Sequence, residues 1–99
     1  MKRIKDLADE IKDELHSAKE YAQEYLTFKA NDESTWAGRY KEMAQEELKH
    51  AGYIHDRAVM EIENLRKVYT PPQDMLDKWD ADHKKYIEKA AWIKQMLAM

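Results

Sequence analysis

No cysteine occurs among these 99 residues. Its absence excludes disulfides, thiolate zinc sites, iron held by four thiolates and iron–sulfur clusters, while leaving the redox compartment open. Glycine and proline number two each, too few for a loop-rich or low-complexity chain. No apolar run is long enough to span a membrane, and the opening Met1-Lys2-Arg3-Ile4-Lys5-Asp6 has no apolar signal core. Seventeen basic and twenty acidic residues give a net charge of −3 with the signs interspersed. There is no basic stripe to follow nucleic acid and no acidic tail. The expectation is a soluble, cytoplasmic protein that engages neither nucleic acid nor membrane.

What the chain does contain is Ala, Glu, Lys and Leu, with charged residues at 37%. That profile predicts an all-α protein, and the length suits one domain with a modest core. Three helices are expected, at about 3–29, 34–69 and 73–98. The first carries an apolar stripe of Ile4, Leu7/Ala8, Ile11, Leu15, Ala18, Tyr21/Ala22, Tyr25 and Phe28. Asn31, Asp32 and Ser34, each a competent N-cap, mark the first turn. The second stripe runs through Trp36, Tyr40, Met43, Ala44, Ala51, Ile54, Ala58, Ile62, Leu65 and Tyr69. Gly38 and Gly52 lie inside it; Gly52 either permits close approach of a neighbour or is simply tolerated. Thr70-Pro71-Pro72 ends that helix. The third stripe is Leu76, Trp79, His83, Tyr86/Ile87, Ala90, Ile93 and Leu97.

Three polar residues interrupt this pattern where packing would place Leu or Ile. On the second helix, Glu47 and His50 form a Glu-x-x-His pair one turn apart on one face. They continue the stripe from Tyr40 and Met43 to Ile54. On the first helix Glu14 falls on the seam between Ile11 and Ala18. A carboxylate in a helical seam is costly unless paired, protonated or coordinated. Short connections make neighbouring helices antiparallel. Counted from a turn centred near residue 31, Glu14 lies seventeen residues before and Glu47 sixteen after, so the two share a level. Glu14, Glu47 and His50 should therefore converge, either as metal ligands or as a buried Glu–His hydrogen bond without metal. Glu20 faces away and is the weaker candidate, and His16 is expected at the surface.

The same counting puts His83 level with about Val59, roughly 15 Å along the axis from the Glu47/His50 layer. His83 is read as a core histidine hydrogen-bonded to Asp80 or to backbone, with a second metal site or a subunit contact as alternatives. His55 is read as a surface partner of Asp6. Tyr21, Tyr25, Trp36 and Tyr40 gather between the carboxylates and the first turn. They are read as core, with an electron path from a metal centre as the minority reading.

Glu14 and Glu47-Leu48-Lys49-His50, with Ser17-Ala18-Lys19-Glu20-Tyr21-Ala22 and the following Ala51, resemble the ferritin-like superfamily over about residues 3–65. The likeness is to the half-site hairpins of encapsulated ferritins and rubrerythrins. It implies Glu14, Glu47 and His50 as ligands, iron as the ion with manganese or zinc as alternatives, and oxidation of Fe(II) by dioxygen or peroxide. A full di-metal site takes a Glu from each of two helices and a Glu-x-x-His from each of two others. This chain has one of each, so the resemblance implies a homodimer or larger oligomer completing a four-helix bundle. The third helix offers only Asp80-Ala81-Asp82-His83, at the wrong level and with Asp for Glu. The opening Met1-Lys2-Arg3-Ile4-Lys5 also resembles short phage-encoded helical proteins, a likeness that brings no function. The rival expectation is a non-enzymatic helical interaction or phage accessory protein with a Glu–His pair and no metal.

Overall fold

The computed structural model describes residues 4–99. Three helices follow one another: α1 (Ile4–Ala30), α2 (Ser34–Val68) and α3 (Gln73–Ala98). Arg3, where the first helix is expected to begin, and most of the Met1–Lys5 stretch lie outside the described residues. Among the described residues there is no strand, and no helix is long and apolar enough to cross a membrane. The helices lie along one axis in a body of 56 × 20 × 16 Å.

α1 and α2 form an antiparallel hairpin whose seam is built from small residues. Ala37, Ala44, Ala51 and Ala58 recur every seven positions along α2 and are all buried. Across from them α1 buries Leu7, Ile11, Leu15, Ala18 and Ala22. Small side chains on one partner let the two helix axes approach closely. The turn is closed by backbone rather than by a side-chain cap. Glu33 N–H donates to the Phe28 carbonyl at 2.9 Å and Asp32 N–H to that of Lys29 at 3.2 Å. Asp32, at φ 58°, supplies the left-handed residue this helix ending needs. The N-cap position of α2 then falls to Glu33, which makes no side-chain cap bond. The expected caps Asn31, Asp32 and Ser34 go unused in that role, because the terminating turn of α1 consumes two of them.

α3 runs back parallel to α1. Its last turns are the well-packed part: Ala90, Ile93, Met96 and Leu97 join Ile11, Leu15, Ala18 and Ala22 in one core. Lys29 Nζ donates to the Met99 carbonyl, tying the end of α3 to the end of α1. The first half of α3 stands off the hairpin on Trp79 and Tyr86. A cavity of about 210 Å³ remains there over Ala8, Ile11 and Leu15. Another of about 350 Å³ lies nearer the second turn, between Ile4, Leu65 and Met75.

Two substitutions in α2 should move stability in opposite directions. A Cβ added at Gly38 meets nothing within 4 Å. Gly38→Ala should therefore gain about 1 kcal/mol of helix propensity. Ala51 is fully buried on the seam. Ala51→Leu should force the helices apart and cost about 1–3 kcal/mol. Urea unfolding followed by far-UV circular dichroism reads both signs.

Candidate metal centre

Glu14 comes from the middle of α1, and Glu47 and His50 from successive turns of α2. The hairpin register brings them together: one ligand atom from each lies within 4.8 Å of the others. His50 Nδ1 stands 3.9 Å from Glu14 Oε2 and 3.9 Å from Glu47 Oε1. At that length neither contact is a hydrogen bond. Three atoms bound to one ion at about 2.0–2.2 Å would sit roughly 3.0–4.2 Å apart. The observed spacing is of that order, and small rotamer changes would close it. Carboxylate and imidazole donors suit iron, manganese and zinc alike.

The three side chains are not buried in the way the apolar pattern implies. His50 is 53% exposed, Glu14 30% and Glu47 23%. The reason lies in where α3 packs. At 100° per residue, Glu14 is about 120° round α1 from Ala8, which lines the α3 cavity. His50 is about 140° round α2 from His55, which lines the same cavity. The group opens on the side of the hairpin that α3 leaves bare. Water reaches the carboxylates there, so the cost of a dry seam is not incurred in the single chain. Trp36 and Met43 share this side, lie seven residues apart in line with His50, and are themselves exposed.

The aromatic residues lie between this group and the first turn, with one exchange. Tyr21 and Tyr40 meet at 6.1 Å, Phe28 stacks on Tyr40 at 5.5 Å, and Trp36 reaches Phe28 at 6.4 Å. Tyr25 is buried elsewhere, with the ammonium groups of Lys29 and Lys41 over its ring. Glu20 bonds the exposed His16 at 2.9 Å on the solvent side, away from the three-residue group.

The reading of the remaining histidines is corrected. His83 bonds neither Asp80 nor backbone; its Nδ1 lies 2.6 Å from Nε2 of His55. His55 is no surface partner of Asp6, since its side chain is only 15% exposed. Its ring stacks on Tyr86 and Trp79 at 4.8 and 5.6 Å and meets that of His83 edge to edge, the two planes 26° apart and the centroids 4.7 Å apart. Counting from the turns put His83 four residues away, one helical turn, a distance that two imidazoles reaching toward each other can span. Burial lowers the His55 pKa; the Asp56 carboxylate, 3.6 Å from its Nδ1, opposes the shift and His83 reinforces it. Burial, aided by the charge of Asp56, pushes the Tyr86 phenol up.

Two acids escaped the sequence reading. Asp82, rather than Asp80, is the sheltered carboxylate of α3, within 3.5 Å of both Lys12 and Lys78. Glu61 is buried at 5% exposure; Arg57 Nε donates to its Oε1 at 3.0 Å, and Oε2 has no protein partner. Glu61 follows Glu47 and Ile54 at seven-residue steps, a spacing that marks it as a seam position. It is fourteen residues from Glu47, about 21 Å along the helix, and belongs to no common site with it. Comparison of the chain with models of known families, with curated sequences and with solved structures finds no match.

The lowered His55 pKa gives stability a pH dependence whose sign is fixed. The unfolded imidazole titrates near about 6.5 and binds protons that the folded one resists. This contribution is complete above that pH and is lost as pH falls through the lower folded-state value. In chelator-treated protein the urea midpoint should fall between about pH 7 and pH 5. His55→Gln should flatten that slope; a slope unchanged by the substitution would assign the effect to other groups.

Proposed function

We propose that this chain is a ferritin-like metal-binding protein whose di-metal site forms between two copies. The observation that carries the reading is the placement of Glu14, Glu47 and His50. Two helices bring them within 4.8 Å of one another, on the bare side of the hairpin. A symmetric dimer presents the same patch from both subunits. Two such patches supply two Glu and two Glu-x-x-His, the ligand set of the di-iron carboxylate bundles. Trp36, at the edge of the aromatic cluster, and Met43 are exposed and give that face apolar area to bury.

Iron is the ion this reading favours, and Fe(II) would be the substrate. The oxidant would be dioxygen or peroxide; with peroxide, two Fe(II) ions would give up one electron each and the O–O bond would cleave to two hydroxides. On this reading Glu47, the better buried of the two carboxylates, would be the bridging ligand. Glu14 and His50 complete each end. Closing a second hairpin over the group removes water from three half-exposed ligands, which strengthens their hold on a cation.

The test joins mass in solution to metal response. Light scattering at micromolar concentration should give a dimer or larger. Added Fe(II), kept anaerobic, should raise the melting temperature by about 10–20 °C at a metal excess of roughly one hundred times Kd. The shift should shrink at about pH 5, where protons compete for the ligands. Glu47→Ala should remove most of that shift. A strict monomer, or a wild type that ignores metal, would return the chain to the reading of a helical interaction module.

A further inference from the structure

We propose that His55 and His83 form a second metal site, independent of the first, which takes a divalent transition ion such as Zn(II) or Cu(II). The two imidazoles approach from different helices, with His55 Nε2 and His83 Nδ1 2.6 Å apart. A hydrogen bond between neutral imidazoles needs one N–H and one lone pair. Asp56 Oδ1 lies 3.6 Å from the other nitrogen of His55. A carboxylate there favours the tautomer with hydrogen on Nδ1, which is also how metal-bound histidines are oriented. The Nε2 lone pair of His55 then points at His83, and the bridging hydrogen is the one on His83 Nδ1.

That hydrogen is what an ion replaces. His83 moves its proton to Nε2 through solvent, so its proton count is unchanged, and two lone pairs converge on one point. Nitrogens bound to one ion at about 2.0–2.1 Å lie roughly 3.0–3.4 Å apart, so the rings need to part by less than about 1 Å. They are already held in place, since Trp79 and Tyr86 stack on His55. The cavity of about 210 Å³ over Ala8, Ile11 and Leu15 borders both histidines and leaves room for water or a small anion on the ion. Asp82 lines the same cavity, although Lys12 and Lys78 share its charge. Imidazole donors select Zn(II), Cu(II) or Ni(II) over Mg(II) and Ca(II). Because His55 is on α2 and His83 on α3, the ion would clamp the loosely packed half of α3 to the hairpin.

The experiment removes the first site and asks what remains. The double variant Glu47→Ala/His50→Ala should still bind one Zn(II) per chain by titration calorimetry, and adding His83→Gln or His55→Gln should abolish that binding. Circular dichroism establishes that each variant keeps its helices. Cu(II) provides a reading that needs no histidine substitution. With Trp36 and Trp92 changed to Phe in the double variant, Cu(II) should quench Trp79, the one tryptophan stacked on His55. Mg(II) should do neither. A double variant that binds no Zn(II), binding that survives His83→Gln in folded protein, or an unquenched Trp79 would each overturn the proposal. None of these outcomes depends on the di-metal reading, since two of its three ligands, Glu47 and His50, are absent throughout.

Discussion

Two helices packed side by side leave a groove on each side, and in this chain α3 fills only one of them. Most of what is distinctive about the molecule follows from that arithmetic. The filled groove holds the common core of Ile11, Leu15, Ala90, Ile93 and Leu97, where side chains are apolar and water is excluded. The bare groove carries Glu14, Glu47 and His50 beside Trp36 and Met43. A single chain can tolerate three ionisable groups there because solvent reaches them. An assembly that covered the groove would have to neutralise them, by protons or by a cation.

The filled groove is itself uneven. From Ala90 onward α3 sits down on the hairpin, while its first half stands away on two aromatic rings and a pair of histidines. Polar groups cluster where packing is loose: His55, His83, Asp82 and Glu61 all lie under or beside that half of α3. A buried polar group holds its place only through partners. Here the partners come from different helices, His55 to His83 and Asp82 to Lys12. These contacts specify where α3 docks without contributing much apolar area.

Much of the hairpin was legible in the sequence, because heptad-like apolar spacing, two turn signals and level counting need no tertiary information. The same counting brought Glu14 to Glu47 and His50, since both helices are continuous from a tight turn. It could not give exposure. The seam looks equally buried on both sides until one knows which groove the third helix takes, and nothing in α3 announces that choice. Level counting also weakened across the second turn. There the chain passes through two prolines, and α3 follows α1 more closely than α2, so His83 found His55 rather than Asp80. Glu61 was missed for a simpler reason: a charged residue on a charged helix draws no notice unless its seven-residue spacing from Glu47 is followed.

The alanine row of α2 has a further consequence, one of handedness. Four alanines at strict intervals of seven cannot stay on one side of a straight helix with 3.6 residues per turn; the row drifts by about 20° per interval. Ala37 to Ala58 spans three such intervals, and all four remain buried. Left-handed winding of α1 and α2 about each other is the geometry that would keep such a row centred on the contact. A groove wound in that sense would ask any helix laid along it for its full length to share the same chirality. A straight rod of matching chemistry would touch it at one level and part from it at the next.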